Sequence, residues 1–202
     1  MTTYAQYVKE SFQKEYAKEK SADYDFGSIY RARLIEFRKV KDAIVRLEKP
    51  TNIPRARQLG YKAKKGFVVV RVRVRKGSGL HRRPSKGRRP KRMGVNKLTR
   101  RISIQGIAEK RANKKYPNCE VMNSYFIGED GMSKYFEVIL IDTSAPEILS
   151  DKEFNWITEP QHRNRAERGL TSAQKRSRGL HGKGKGYEKV RPSQRAHHRK
   201  AK

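Results

Sequence analysis

The sequence predicts an α+β fold in which a small mixed or antiparallel sheet is covered by helices and carries a long basic arm and a basic C-terminal extension. Segments with strand-like and helix-like patterns follow one another as strand, basic turn, strand, helix, strand, strand. Two helical patterns precede this series. Hydrophobic and charged residues each make up 35% of the 202 residues, so the core must be modest.

The first 41 residues are predicted to form helices that pack on the body. Thr3 and Gln6 have the spacing of a capping box, in which two side chains cap the start of a helix reciprocally. A second helix is predicted over residues 28–40. Apolar side chains recur at helical spacing in both helices, and we expect these stripes to pack on the body rather than to stack on bases. They consist of Tyr4, Tyr7, Val8, Phe12 and Tyr16, followed by Tyr30, Leu34 and Phe37.

Residues 42–160 are predicted to form the α+β body. A short strand over residues 43–47 is followed by a basic turn at residues 54–66 and by the central strand, residues 67–75. Because side chains alternate along a strand, the even-numbered valines from 68 to 74 share one face and the odd-numbered arginines from 71 to 75 share the other. We expect the valines to pack beneath the next helix and the arginines to reach phosphates.

A basic arm at residues 77–95 leaves the central strand through glycines. It has no apolar periodicity, so it cannot form a core of its own. The helix predicted next spans residues 97–116, with Asn96 as its N-cap and Pro117 as its end. Two strands at residues 119–127 and 134–142 follow, and the Gly-Glu-Asp-Gly sequence between them indicates a hairpin.

The order of the chain is expected to decline after this hairpin. Trp156 and Ile157 form the last large apolar cluster, which we expect to anchor the chain back onto the body. Residues 161–202 are basic and rich in glycine, and they contain too few apolar residues to fold alone. We therefore interpret them as a tail that threads between segments of a larger partner.

The net charge of +30 is concentrated in two blocks, residues 49–108 and residues 161–202. The first block contains twenty Lys and Arg residues and no acidic residue. Such a block repels itself unless a polyanion lies beside it, which indicates nucleic acid. The candidate RNA-binding residues are the cations of these blocks: Arg55, Arg57, Lys62, Lys64, Lys65, Arg71, Arg73, Arg75, Lys76, Arg82, Arg83, Lys86, Arg88, Arg89, Lys91, Arg92, Lys97, Arg100, Arg101, Arg163, Arg165, Arg168, Lys175, Arg176, Arg178, Lys183, Lys185, Arg191 and Arg195.

No motif indicates catalysis, a cofactor or a metal. The glycine-rich segment at residues 179–186 has Gly186 where a P-loop needs Ser or Thr, and no apolar strand leads into it. The five histidines lie among cations that oppose metal binding, and the single cysteine cannot form a disulfide within the chain. No carboxylate pair suits acid-base chemistry. We expect no signal peptide, no membrane segment and no small-molecule substrate.

Five further segments, together with residues 55–77, resemble a known family. The string Arg-Ala-Arg-Gln-Leu-Gly-Tyr-Lys-Ala-Lys-Lys-Gly, followed by the alternating central strand, resembles the fifteen-e family of large-subunit ribosomal proteins. Pro54 departs from the pattern, because the family usually has an acidic residue there. Residues 182–193 are more similar to the archaeal branch than to the animal one. The other matching segments are residues 123–125, 128–130, 136–142, 156–158 and 168–173.

The resemblance implies a cytoplasmic, rRNA-binding structural protein without catalytic residues. It also implies the element order β-(α)-β-α-β-β, which agrees with the order of strand-like and helix-like segments given above. On composition alone, a chromatin-like DNA-binding protein and an RNA-processing enzyme remain alternatives. The acidic residues of the hairpin strands are expected to face away from RNA, toward a basic neighbouring ribosomal protein, because phosphate contact there would be repulsive. These residues are Glu120, Glu129, Asp130 and Glu137.

Overall fold

A computed structural model describes residues 3–79, 81–95, 98–182 and 184–187. Its centre is a four-stranded antiparallel sheet in the order β1-β2-β4-β3, with helices on both faces, so the predicted α+β class is confirmed. The strands are β1 (Ile44–Leu47), β2 (Phe67–Arg75), β3 (Cys119–Glu129) and β4 (Ser133–Asp142). The helices are α1 (Tyr4–Ala17), α2 (Phe26–Lys39), α3 (Ile53–Gln58), α4 (Ile104–Lys115), α5 (Pro146–Leu149) and α6 (Ser172–Ser177).

The predicted capping box starts α1, with Thr3 as its N-cap. The second helix begins earlier than predicted, at Phe26, because the Asp25 carboxylate accepts hydrogen bonds from the backbone N–H groups of Gly27 and Ser28. An aspartate in this position satisfies donors that have no partner inside the helix.

The aromatic stripe of α1 packs on the body only in its second half. Phe12 is buried, and the Tyr16 hydroxyl donates a 2.8 Å hydrogen bond to the carbonyl of Ile127. The expectation was wrong for Tyr4 and Tyr7, which are 76% and 58% exposed. Helical spacing identifies one side of a helix, but it does not tell how far along that side the neighbouring surface reaches.

The basic turn contains a helix that its residues alone did not indicate. Asn52 accepts a hydrogen bond from the backbone N–H of Arg55 and Pro54 occupies the first turn, a favoured arrangement at a helix start. Helix α3 corresponds to the first helix, the one written in parentheses, in the order β-(α)-β-α-β-β that the family resemblance implied. Its buried residues, Pro54 and Ala56, face the sheet and leave Arg55 and Arg57 exposed.

Strand β2 pairs with β1 on one side and with β4 on the other, so it lies inside the sheet. Val70, Val72 and Val74 are buried in one core cluster with Ala108 and Ala112 of α4. The predicted packing of the valine face beneath the following helix is therefore confirmed. Tyr30, Leu34 and Phe37 of α2 belong to a second cluster that includes Tyr125, Tyr135 and Ile139 of β3 and β4.

The helix predicted over residues 97–116 begins later, at Ile104, and the N-cap is Ser103 rather than Asn96. Asn96 and Lys97 lie outside the described residues, and residues 98–103 are not helical. The side chain of Arg100 donates hydrogen bonds to the carbonyls of Arg75 and Gly77, which ties this segment to the exit of β2. The predicted helix end before Pro117 is correct.

The chain after the hairpin returns to the body, as the Trp156 and Ile157 cluster predicted. Ile157 is buried with Ile141, Ile148 and Phe154, and Trp156 packs against this group. The next segment also contacts the body, because Ala166, Thr171 and Gln174 are buried beside α4 and β3. Residues 188–202, which include Arg191 and Arg195, lie outside the described residues.

Candidate nucleic-acid interface

Most of the predicted RNA-binding side chains lie on the surface. Lys97, Lys183, Arg191 and Arg195 fall outside the described residues, and six others are partly buried. The exposed members come from α3 and the loop after it, from the end of β2, from the arm and from the C-terminal segment. They are Arg55, Arg57, Lys62, Lys65, Arg75, Arg82, Arg83, Lys86, Arg88, Arg89, Lys91, Arg92, Arg101, Arg163, Arg168, Lys175, Arg176, Arg178 and Lys185.

The arm begins where β2 ends and contains a short 3-10 turn at Pro90–Arg92. Gly77 and Gly79 have φ values of 90° and 87°, which glycine adopts without strain, and they turn the chain away from the strand. Within the described part of the chain, no side chain of the seven cations from Arg82 to Arg92 forms an ion pair or a hydrogen bond. These charges are therefore free to bind an external anion.

The three arginines of β2 do not share one environment. The Arg71 guanidinium lies 4.1 Å from the centroid of the Phe37 ring. Arg73 donates hydrogen bonds of 3.2 and 2.7 Å to the carbonyls of Val40 and Lys41, where the chain leaves α2. Only Arg75, at the end of the strand, is exposed. The alternation was predicted correctly, but α2 covers the face on which Arg71 and Arg73 lie.

A buried carboxylate lies beneath the same face. Glu137 of β4 is directly opposite Arg71 in the strand register, and it accepts hydrogen bonds from the Thr51 backbone N–H at 3.1 Å and from the Tyr125 hydroxyl. Burial raises the pKa of Glu137, while Thr51, Tyr125 and Arg71 act in the opposite direction. The signal in the sequence was a single acid inside the apolar run at residues 135–141.

Several other predicted cations have partners within the protein. Lys62 pairs with Glu153 at 2.5 Å, Lys64 pairs with Asp151, and Lys76 pairs with Glu129 at 3.1 Å. Arg165 is partly buried: its guanidinium donates hydrogen bonds to the carbonyls of Val121 and Met122 at 2.9 and 3.1 Å, and it lies 5.0 Å from the Trp156 ring. These contacts depend on residues far apart in the chain, so composition could not reveal them.

Two buried carboxylates fasten the C-terminal segment to the body. Glu120 accepts a 2.7 Å hydrogen bond from the backbone N–H of Asn164. Glu109 of α4 accepts hydrogen bonds from the hydroxyls of Ser124 and Thr171, both at 2.5 Å, and from the Gln174 amide at 3.1 Å. A carboxyl group is tolerated inside a protein when several donors satisfy its oxygens in this way.

The acidic residues of the hairpin strands are therefore less available than the sequence indicated. Glu120 and Glu137 are buried and do not belong to an acidic surface. Glu129 pairs with Lys76 and Lys134, which lower the pKa of its carboxyl group, Lys134 more strongly. Asp130 closes the turn by accepting hydrogen bonds from the backbone N–H groups of Met132 and Ser133.

One cleft brings together cations from distant parts of the sequence. Arg55 of α3 and Arg176 of α6 line the same opening of about 470 Å³, which crosses the edge strand β3. Hydrogen-bonding side chains also line it, among them Gln105 and Asn123, which were not among the predicted RNA-binding residues. No pattern in the sequence pairs these segments, because only the docking of α6 beside α4 brings them together.

The described residues show neither a metal centre nor a membrane span. No group of three or more His, Cys, Asp or Glu side chains in this part of the chain could hold a metal ion. None of the helices that the structure describes is both long and apolar enough to cross a bilayer. Cys119 is buried and unpaired with another cysteine, and burial raises the pKa of its thiol to about 11, so it stays protonated near neutral pH.

A small α+β body that carries an arm of exposed cations without acidic partners belongs to the class of nucleic-acid-binding proteins. The sequence pattern of the Ribosomal L15 family matches residues 4–197, and the chain belongs to this family. It is 52% identical over 176 residues to the large ribosomal subunit protein eL15 of Methanocella arvoryzae, and the match covers 87% of this chain and 89% of the relative. The identification of the family and of its archaeal branch is thereby confirmed.

A second archaeal relative gives the same result. The chain is 56% identical over 170 residues to the large ribosomal subunit protein eL15 of Methanospirillum hungatei. The match covers 84% of this chain and 86% of that protein. The similarity therefore extends over most of the chain, rather than over one motif.

Proposed function

We propose that this chain binds large-subunit rRNA mainly through the exposed cations of the arm, of α3 and the loop after it, and of the C-terminal segment. As a member of the Ribosomal L15 family, it is a structural component of the large ribosomal subunit in the cytoplasm and not an enzyme. Its partners are rRNA and other ribosomal proteins. The family assignment removes the chromatin-like protein and the RNA-processing enzyme from consideration.

The single observation that supports the RNA interface is that the cations of the arm and those of the body differ in their partners within the protein. Cations of the body such as Lys64, Lys76 and Arg165 have acidic, carbonyl or aromatic partners within the protein. The side chains of the seven cations from Arg82 to Arg92 have none among the described residues. Phosphates satisfy such charges, and the gain comes largely from released counterions.

The proposed interface divides the predicted residues into two groups. The six partly buried cations are assigned to the stability of the body, because their charged groups contact aromatic rings, backbone carbonyls or carboxylates. They are Lys64, Arg71, Arg73, Lys76, Arg100 and Arg165. The exposed cations are assigned to RNA. Lys97, Lys183, Arg191 and Arg195 remain proposed RNA contacts on the basis of the sequence alone.

Binding to deproteinised large-subunit rRNA, compared with binding to duplex DNA of equal length at several salt concentrations, tests this function. We expect the affinity for rRNA to exceed that for the duplex, and the protein to stay with the large subunit through a high-salt wash. Equal affinity for both polymers, together with loss from the particle in the wash, would contradict a specific rRNA-binding role.

We also propose that the β3–β4 turn faces a neighbouring ribosomal protein with a basic surface. The turn contains Glu129, Asp130 and the 69%-exposed Met132, and residues 128–133 include no cation. An exposed methionine beside carboxylates suits a protein neighbour better than a phosphate backbone. Carbodiimide coupling of carboxylates to amines in assembled particles should join this turn to another protein, whereas RNA cross-links centred on it would reverse the proposed orientation.

A further inference from the structure

The cleft that crosses β3 differs from the rest of the cationic surface because it is concave and has mixed chemistry. Strand β3 is at the edge of the sheet, and the cleft spans it from α3 on one side to α4 and α6 on the other. A volume of about 470 Å³ falls within the range of roughly 300–1,000 Å³ that is usual for small-ligand sites. The lining residues that carry the argument are Arg55, Leu59, Gln105, Asn123, Phe126 and Arg176.

The charge of the cleft selects an anionic ligand. Arg55 and Arg176 are both exposed and both line the cleft. Among the described residues, the Arg55 side chain bonds only the neutral Gln58, at 3.2 Å, and the Arg176 side chain has no partner. Among the described residues, no acidic side chain lines the opening. Two carboxylates contact the lining from beneath: Glu109 accepts a hydrogen bond from Ser124 and Glu137 accepts one from Tyr125, and both are fully buried. The two guanidinium groups at the surface therefore favour a phosphate in the cleft.

Two amide side chains in the cleft each have a hydrogen-bonding group that no contact among the described residues uses. The Gln105 amide N–H groups donate to the carbonyl and hydroxyl of Ser124, at 3.1 and 2.8 Å, and this leaves the Gln105 side-chain oxygen as an acceptor. The Asn123 side-chain oxygen accepts from the Ser124 backbone N–H at 3.1 Å, which leaves its NH₂ group as a donor. One fixed acceptor beside one fixed donor is the pattern that reads the edge of a nucleobase.

The cleft also holds an aromatic ring in a fixed position. Phe126 is 37% exposed, although its ring packs against Tyr16 and Phe136 with centroids 5.7 and 5.8 Å away. A ring that neighbours support and that remains partly exposed is a platform on which a base can stack. Leu59, on the wall formed by α3, adds an apolar contact.

We propose that this cleft binds a single unstacked nucleotide of the rRNA. The backbone phosphate lies between Arg55 and Arg176, and the base lies against Phe126 with its edge toward Gln105 and Asn123. The inference rests on the proposed function, since the ligand is part of the rRNA that the arm holds. It adds a contact that depends on the base to an interface whose other contacts are to phosphates.

Ultraviolet cross-linking of the full chain to deproteinised large-subunit rRNA, followed by mass spectrometry, tests the cleft. We expect a peptide containing Phe126 that carries one nucleotide of defined base identity. Phe126→Leu should weaken rRNA binding by about 5- to 150-fold, the range for removing one base stack, with an unchanged salt slope. Arg176→Gln should instead reduce the salt slope, and it leaves folding intact because its side chain has no partner in the described chain.

Tyr24→Leu is the matched control, because Tyr24 is an exposed ring outside the cleft. It should change neither affinity nor cross-linking. If wild-type protein binds rRNA while Phe126→Leu and Arg176→Gln bind equally well and no nucleotide is attached in the cleft, the inference is wrong and the proposed function stands. A cross-link from the cleft to another protein in the particle would also overturn it. Failure of wild-type protein to bind rRNA would overturn the proposed function itself.

Discussion

The guanidinium of Arg71 lies 4.1 Å from the centroid of the Phe37 ring and opposite Glu137 in the sheet register. Strand β2 is thus tied to α2 through a cation on an aromatic face, while the same cation offsets the charge of a buried carboxylate. From the sequence, an arginine that alternates with valines was predicted to contact RNA. In the folded protein it joins two elements of the body.

Arg71→Gln is expected to destabilise the body by about 1–3 kcal/mol, because it removes the contact with Phe37 and leaves Glu137 with less compensation. Urea unfolding measures this change. Arg75→Gln is the control, since Arg75 is exposed at the end of the same strand, and it should change stability by less than about 0.5 kcal/mol. If the two variants are equally stable and only Arg71→Gln abolishes rRNA binding, Arg71 contacts RNA rather than stabilising the body.

The loss of stability in Arg71→Gln should grow as the pH rises. Burial raises the pKa of Glu137 in the folded protein above its ordinary value of 4.5, and Arg71 limits this rise. A raised carboxyl pKa means that the folded state is favoured when Glu137 is protonated, and that this advantage is lost as the pH rises through the folded pKa. Without Arg71 the folded pKa rises further. The melting temperature of the variant should therefore lie further below that of the wild type at pH 8 than at pH 5.

Thr171→Val tests whether Glu109 holds the C-terminal segment. The substitution keeps the shape of the side chain but removes a 2.5 Å hydrogen bond to a buried carboxylate, at a cost of about 1–3 kcal/mol. Trypsin should then cut after Arg163 and Arg168 at lower concentrations than in wild type. Thr158→Val removes a hydroxyl that bonds an exposed carbonyl, and it should have little effect. Identical cleavage of both variants would exclude Glu109 as the anchor.

Replacing five arginines of the arm with Gln should weaken rRNA binding without lowering the melting temperature. The log–log salt slope should fall by up to about 0.9 for every phosphate that is no longer neutralised on duplex RNA, and different RNA sequences should be weakened alike. Fluorescence anisotropy at several salt concentrations measures the slope. The substituted residues are Arg82, Arg83, Arg88, Arg89 and Arg92.

The control for the arm carries the same change of charge on the N-terminal helices and the residues that follow. Five exposed cations there are replaced with Gln, and the salt slope should fall much less than in the arm variant. A weakening confined to one RNA sequence would instead indicate base recognition by the arm. The control positions are Lys9, Lys18, Arg31, Lys39 and Lys41.

Alanine substitutions at Gly66 and Gly77 distinguish the cost of backbone strain from the cost of a steric clash. Both have φ values near +90°, so Ala at either position is strained by about 1–2 kcal/mol. A Cβ at Gly66 would lie 2.5 Å from Cγ1 of the buried Ile148, whereas no atom of the described residues lies within 4 Å of a Cβ at Gly77. Gly66→Ala should therefore destabilise the protein by about 1–3 kcal/mol more than Gly77→Ala in urea unfolding. Equal destabilisation would show that Ile148 can move aside.

Features that depend on neighbouring residues were determined by the sequence itself. The alternation of β2, the capping box at Thr3, the hairpin after β3 and the two basic blocks were all predicted, because side-chain direction and local hydrogen bonding follow from short spacings. The family was also identified from the sequence, since its motifs are specific in combination.

Features that depend on a distant partner were decided by the tertiary structure. Arg100 lies outside α4 and bonds the carbonyls at the end of β2, and Arg71 is covered because α2 folds across its face. Arg55 and Arg176 line one cleft because the fold holds the segment that leads into α6 against the body, in part through the hydrogen bond from Thr171 to Glu109. Charge alone does not tell a free cation from a satisfied one. That difference lies in which carbonyl, ring or carboxylate the fold brings within a few ångströms, and no local pattern in the sequence encodes it.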